Sequence, residues 1–147
     1  IFKLHEWFKK LPKKLKKDKS RIANQILKEI EKLTPKQMIG FRLRTDKLLY
    51  DTYNSEMWCA GYIMNEGCSD DGFEYFRNWI ISRGKDTYYK AKQNPDSLIS
   101  ELVEGEEYYD FESFWYVALT AFENKTGKSK GLNDTSPFKT PSILSSK

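Results

Sequence analysis

Two adjacent carboxylates, Asp70 and Asp71, with Glu74 one turn further on, stand in the stretch GCSDDGFEYFRNWIISRG (residues 67–84) and are the residues whose types and spacing most suggest chemistry. Clustered carboxylate oxygens suit a hard cation such as magnesium or calcium, or general acid/base work on a bound substrate. Neighbouring positions on a helix diverge by about 100°, however, so a compact site would need further ligands from another segment. Glu66, Asp86, Asp96 or the EGEE run at 104–107 are the available donors. A metal-dependent hydrolase using Asp70 and Asp71 is therefore the enzymatic alternative.

Other reactive centres find fewer materials. Zinc calls for about four thiolate or imidazole ligands, and the chain has one histidine, His5, with Cys59 and Cys68 as its two cysteines. Cys68 precedes a helix start, where a thiol is acidified, but Asp70 and Asp71 oppose that shift and His5 is the sole imidazole base. No GxxxxGK phosphate loop and no Ser-His-Asp set is present. The sequence leads us to expect no catalytic residue, no metal and no cofactor.

The simpler reading of the acid pair is structural. Ser69 can cap a helix whose first turn holds Asp70 and Asp71, where exposed amides and the helix dipole favour negative charge by about 0.3–1 kcal/mol each. On that helix Phe73, Tyr75, Phe76, Trp79 and Ile80 fill one arc, and Asp70, Asp71, Glu74, Asn78 and Ser82 fill the other. Arg77 sits at the border, within reach of a salt-bridged ladder with Glu74 and Asp70.

Helical spacing recurs along the chain. Leu4, Trp7, Phe8 and Leu11 fall at i, i+3, i+4 and i+7 before Pro12; Ile22, Ala23, Ile26, Leu27, Ile30 and Leu33 repeat the pattern. TPKQ at 34–37 combines a capping Thr34, Pro35 at the first helical position and Gln37 to complete a capping box, and leads into a helix facing inward through Met38, Phe41, Leu48, Leu49 and Tyr53. Next, Trp58, Cys59, Tyr62 and Ile63 share a face, with Gly67 suited to a left-handed exit. Gly84 ends the following helix, Asn94 and Pro95 start another, and Gly105 closes it. Phe111, Phe114, Trp115, Ala118, Ala121 and Phe122 make a broad apolar arc, with Glu112, Tyr116, Thr120 and Glu123 opposite, as expected of a nearly central helix. No run shows the alternation of a strand. The expected fold is all-α, a compact single-domain bundle of about six to eight helices.

Across 147 residues the net charge is +4, but the charges are segregated. Residues 1–20 carry eight lysines against Glu6 and Asp18, whereas residues 66–112 carry twelve acids against five bases. The expected organisation is a lysine-rich helix or arm over residues 1–20, a helical domain over 21–127 and a Ser/Thr/Pro/Lys tail over 128–147. Phosphate attraction needs only clustered cations, so Lys9, Lys10, Lys13, Lys14, Lys16 and Lys17 make nucleic acid a second alternative partner. No window approaches the roughly 20 apolar residues of a membrane span, and two cysteines are too few for a disulfide framework, so a cytoplasmic setting is expected. Oligomeric state is not legible.

The stretch MWCAGYIMNEGCSDDGFEYFRNWIISRGKDTYYKAKQNPDSL, with Trp58, Ala60, Tyr62, GCSDDGFEYFR, Gly84 and NPDSL at 94–98, resembles an uncharacterised bacterial family, domain of unknown function 4240. The resemblance runs from about Leu33 to residue 127 and omits the lysine-rich start and the tail. It implies a small helical fold and transfers no catalytic residue. Carboxylates and rings without a reactive centre point to recognition: a non-catalytic interaction module, of an immunity or regulatory type, that binds a basic protein partner. The candidate partner-binding residues are Asp70, Asp71, Glu74, Arg77, Trp58, Tyr62 and Trp79, with Tyr75, Tyr88 and Tyr89 as further exposed-ring candidates.

Overall fold

The structure, a computed structural model, describes residues 18–128. Six α-helices and one 3-10 helix follow one another there: α1 (Lys19–Glu31), α2 (Pro35–Asp51), α3 (Ser55–Met64), α4 (Asp70–Ser82), α5 (Lys85–Gln93), the 3-10 helix (Pro95–Glu101) and α6 (Glu112–Thr126). No strand occurs among the described residues, and the fold is all-α as the periodicity implies. The expected Leu4–Leu11 helix, His5 and the tail lie outside the described residues.

The local signals that start these helices are realised in detail. Thr34 and Gln37 form the reciprocal capping box ahead of α2. Ser69 Oγ accepts from the Gly72 amide at 3.1 Å and opens α4, and Asn94 caps the 3-10 helix through the Asp96 amide. One stop signal is shifted by a residue. The left-handed position after α3 is Glu66, with φ 55°, and Gly67 follows with φ 145°; the Gly67 amide reaches back to the Tyr62 carbonyl at 2.9 Å, which closes the helix end.

Helix α6 packs against α1, α2 and α4, so its apolar arc is central. It runs parallel to α1: Lys19 meets Asp110 at one end, while Asn124 and Lys125 meet Glu31 at the other. Ile26, Ile30, Met38, Met57, Phe73, Phe76, Ile80 and Ala121 have no exposed surface and form the centre of one core. Helix α4 is buried from Phe76 through Ile80, so its polar arc is narrower than its sequence suggests.

One inward assignment, Tyr53, is corrected, and the direction of α3 is settled. Helix α3 turns Met57 and Gly61 inward, while Cys59, Tyr62 and Ile63 are exposed. Gly61 is what permits this rotation, because a Cβ there would stand 2.9 Å from Phe76 Cδ1. Tyr53, just past α2, is also exposed, its ring lying edge-on to Trp58.

Asn78 is fully buried, and both its Oδ1 and Nδ2 lack a hydrogen-bond partner. A buried amide left unpaired costs about 1–3 kcal/mol. Asn78→Leu, which keeps the branched shape of the side chain, is therefore expected to leave the fold intact and raise stability by about 1–2 kcal/mol. A urea midpoint that falls instead would show that the amide is held by an interaction lost on substitution.

Candidate functional site

Asp70 and Asp71 occupy the first turn of α4 and are exposed. Glu74 is half-buried beside them. Arg77, three residues on, does not build the anticipated ladder, because its side chain turns inward and only 6% of it is exposed. Nη1 donates to the Leu49 carbonyl at 2.6 Å and Nε to the Phe73 carbonyl at 3.2 Å. The guanidinium also faces the Phe73 ring at 4.4 Å and the Tyr53 ring at 5.0 Å. Leu48 and Leu49 lie in the last turn of α2, where carbonyls run out of intrahelical partners and carry the negative end of the helix dipole. Tyr88 Oη donates to the Leu48 carbonyl at 2.7 Å, so Arg77 and Tyr88 together close that helix end. Burial pulls the Arg77 guanidinium below its usual range, and the Glu74 carboxylate partly restores it.

The remaining candidates divide the same way. Trp79 is buried between Phe76, stacked at 5.7 Å, and Tyr109, edge-on at 5.1 Å. Tyr88 is buried, and Tyr89 is exposed with Arg44 donating to its hydroxyl. Trp58 is half-buried: its ring stacks on Phe73 at 4.5 Å and its Nε1 donates to the Cys68 carbonyl at 3.2 Å, pinning the loop before α4. Tyr62 is a surface ring, 59% exposed. Arg77 and Trp79 thus belong to the core and have no face for a partner.

What the fold does bring together is Tyr75 with the start of α6. The Phe111 amide donates to the Tyr75 carbonyl at 2.9 Å, and the Tyr75 hydroxyl reaches Glu112 Oε1 at 3.4 Å, the long end of hydrogen bonding. Partial burial raises the Tyr75 phenol above its ordinary value, and Glu112, Tyr116 and Asp71 push it further the same way. The phenol therefore stays a proton donor through the neutral range. Asp71, Tyr75, Glu112 and Tyr116 form one acidic, ring-bearing surface across α4 and α6. Tyr116 is exposed, and its ring meets Trp115, which in turn carries the Arg42 guanidinium at 3.9 Å. Glu112 and Tyr116 were missed as site residues. Their signal was present in the polar arc of the last helix, but nothing local says that this arc adjoins Asp71.

The metal and nucleophile readings draw on the same residues. Among the described residues no three His, Cys, Asp or Glu side chains gather closely enough to hold a metal ion. Burial raises the Cys68 thiol above its ordinary value, which Arg77 only partly offsets, so the thiolate that nucleophilic chemistry needs is disfavoured. The lysines proposed to meet nucleic acid, Lys9, Lys10, Lys13, Lys14, Lys16 and Lys17, lie outside the described residues. No described helix is long and apolar enough to cross a membrane.

Comparison with known proteins places residues 7–124 in a family described as protein of unknown function, DUF4240. The chain belongs to that family. The match begins at Trp7, inside the lysine-rich start and well upstream of Leu33, so the shared unit is longer than the resemblance read from the sequence. No curated protein and no solved structure matches the chain.

Proposed function

We propose that this member of the DUF4240 family is a non-catalytic interaction module of the bacterial cytoplasm. In this reading it binds a basic protein partner through Asp70, Asp71, Glu74, Tyr75, Glu112 and Tyr116, as an immunity-type or regulatory protein would. The observation that carries the reading is the contact of Tyr75 with Glu112 across α4 and α6 beside Asp71. It concentrates carboxylates and phenols on one surface, and among the described residues none of these carboxylates has a Lys or Arg within salt-bridge distance. Unneutralised acids steer a cationic partner, and amphipathic rings supply contact area at low entropic cost.

The charge reversal Asp71→Lys/Glu112→Lys tests it, since both residues are exposed and the fold should persist. A basic protein captured from source cells by the wild-type chain is expected to bind the variant at least about tenfold more weakly in calorimetry, and the wild-type affinity should fall with added salt. Equal affinity for the two chains, or insensitivity to salt, defeats the assignment.

A further inference from the structure

A second surface lies where the C-terminal end of α3, the 3-10 helix and the loop after it meet. The Asn65 side chain holds both backbone polar groups of Tyr109, accepting from its amide at 2.8 Å and donating to its carbonyl at 3.3 Å. The Tyr109 hydroxyl accepts from the Val103 amide at 3.0 Å, and α3 packs on the 3-10 helix. On these joined elements Tyr62, Ile63, Ile99, Leu102, Val103 and Tyr108 are all exposed, Ile63 and Ile99 by about 70% each. Isolated exposed apolar residues need no explanation, but six on adjoining elements of a small domain mark a surface that something covers. Glu66, Glu104 and Glu107 are exposed on the same segments of chain, which suits an occupant that is apolar and cationic at once.

The chain supplies such a segment. Residues 1–17 carry seven lysines against Glu6, together with the spaced apolar set Leu4, Trp7, Phe8 and Leu11. They join the described fold at Asp18 and Lys19, and Lys19 Nζ is already bound into the acidic loop: 2.5 Å from Asp110 Oδ1, 3.9 Å from Glu106 Oε1 and 3.0 Å from the Tyr108 carbonyl. The family match reaches back to Trp7, so Trp7, Phe8 and Leu11 are within the unit that members share. The lysines between Pro12 and Asp18 can span about 17 Å when extended, and Leu4–Leu11 would cover about 12 Å as a helix. Attachment at residue 18 places the segment at an effective concentration on the order of millimolar, which no free partner matches without high affinity.

We propose that residues 1–17 dock in cis on this surface, with Leu4, Trp7, Phe8 and Leu11 against Ile63, Ile99, Leu102 and Val103, and the lysines facing Glu66, Glu104 and Glu107. The surface is separate from the Asp71–Tyr116 surface, and the inference does not depend on the function proposed for the latter.

Limited trypsin digestion of the full chain at low ionic strength tests it, with the initial cleavage rates at Lys9 and Lys10 read by mass spectrometry. Ile63→Ser/Ile99→Ser and Glu104→Gln/Glu107→Gln are each expected to raise those rates by about tenfold, because cleavage follows the population of the released segment. Tyr50→Ser, which removes an equally exposed ring elsewhere on α2, should leave them at the wild-type value. Rates that are the same in all four chains overturn the proposal, as does a Tyr50→Ser effect of equal size. Protection that disappears on dilution also overturns it, since the covering segment would then come from a second copy.

Discussion

Arg77→Met is expected to lower the unfolding free energy by about 2–4 kcal/mol, measured from urea midpoints at unchanged slope. The substitution keeps most of the buried side-chain volume but removes both donors, leaving the Leu49 carbonyl, now held at 2.6 Å, without its charged partner at the end of α2. Hydrogen bonds from a charged group contribute about 1.5–3 kcal/mol each, and the ring faces of Phe73 and Tyr53 add cation–π attraction. Arg77→Lys should recover only part of the loss, because an ammonium is a point charge that cannot reproduce the planar fork bridging the Leu49 and Phe73 carbonyls. Were Arg77 a recognition residue on the surface, both variants would melt as the wild type does.

The contact between Gly61 and Phe76 carries the other large effect. Phe76→Ala should cost about 3–5 kcal/mol, the penalty for emptying a ring-sized site in a core, since Phe76 is fully buried and stacked on Trp79. Gly61→Ala should destabilise by about 1–3 kcal/mol through overpacking, even though alanine is intrinsically favoured over glycine within a helix by up to about 1 kcal/mol. The added methyl would stand 2.9 Å from Phe76 Cδ1 and 3.3 Å from Cε1 and Cγ, in a place where Trp79 limits how far the ring can retreat. Combining Gly61→Ala with Phe76→Leu tests the cause: the double variant should be more stable than the sum of the single losses by about 0.5–3 kcal/mol. Strict additivity would mean that the methyl clashes with something other than the ring.

Both effects rest on α4, and α4 also marks the boundary of what local pattern conveys. Ser69 as cap and Asp70–Asp71 in the first turn were legible, because a cap is a hydrogen bond between residues three apart and a dipole acts on the turn beside it. The Thr34–Gln37 box is of the same kind. Arg77 was not legible. A residue at the border of two arcs can turn either way, and the choice was made by the Leu49 carbonyl at the end of α2, which lies 28 positions earlier in the chain. Asn78 was placed with the polar residues by spacing, yet it is sealed in by the elements packed round α4. On α3 the spacing put Trp58, Cys59, Tyr62 and Ile63 on one face without fixing which way it points; the close approach allowed by Gly61 turned the Met57–Gly61 side inward.

The candidate site divides along the same line. That Asp70, Asp71 and Glu74 form an acid-rich helix start follows from their order in the chain. Their company does not. Tyr75 meets Glu112 because the Phe111 amide docks on the Tyr75 carbonyl, a contact across 36 residues that no window of local sequence contains. By itself the sequence determined the class of fold, the existence and caps of most helices, the acidic character of residues 66–112 and the family, since each depends on composition or on residues within a turn or two. Tertiary structure alone decided which side of α3 is buried, that Arg77 and Asn78 are core, and that Asp71, Tyr75, Glu112 and Tyr116 share a surface. Those outcomes depend on how helices far apart in sequence satisfy one another's carbonyls and fill one another's gaps.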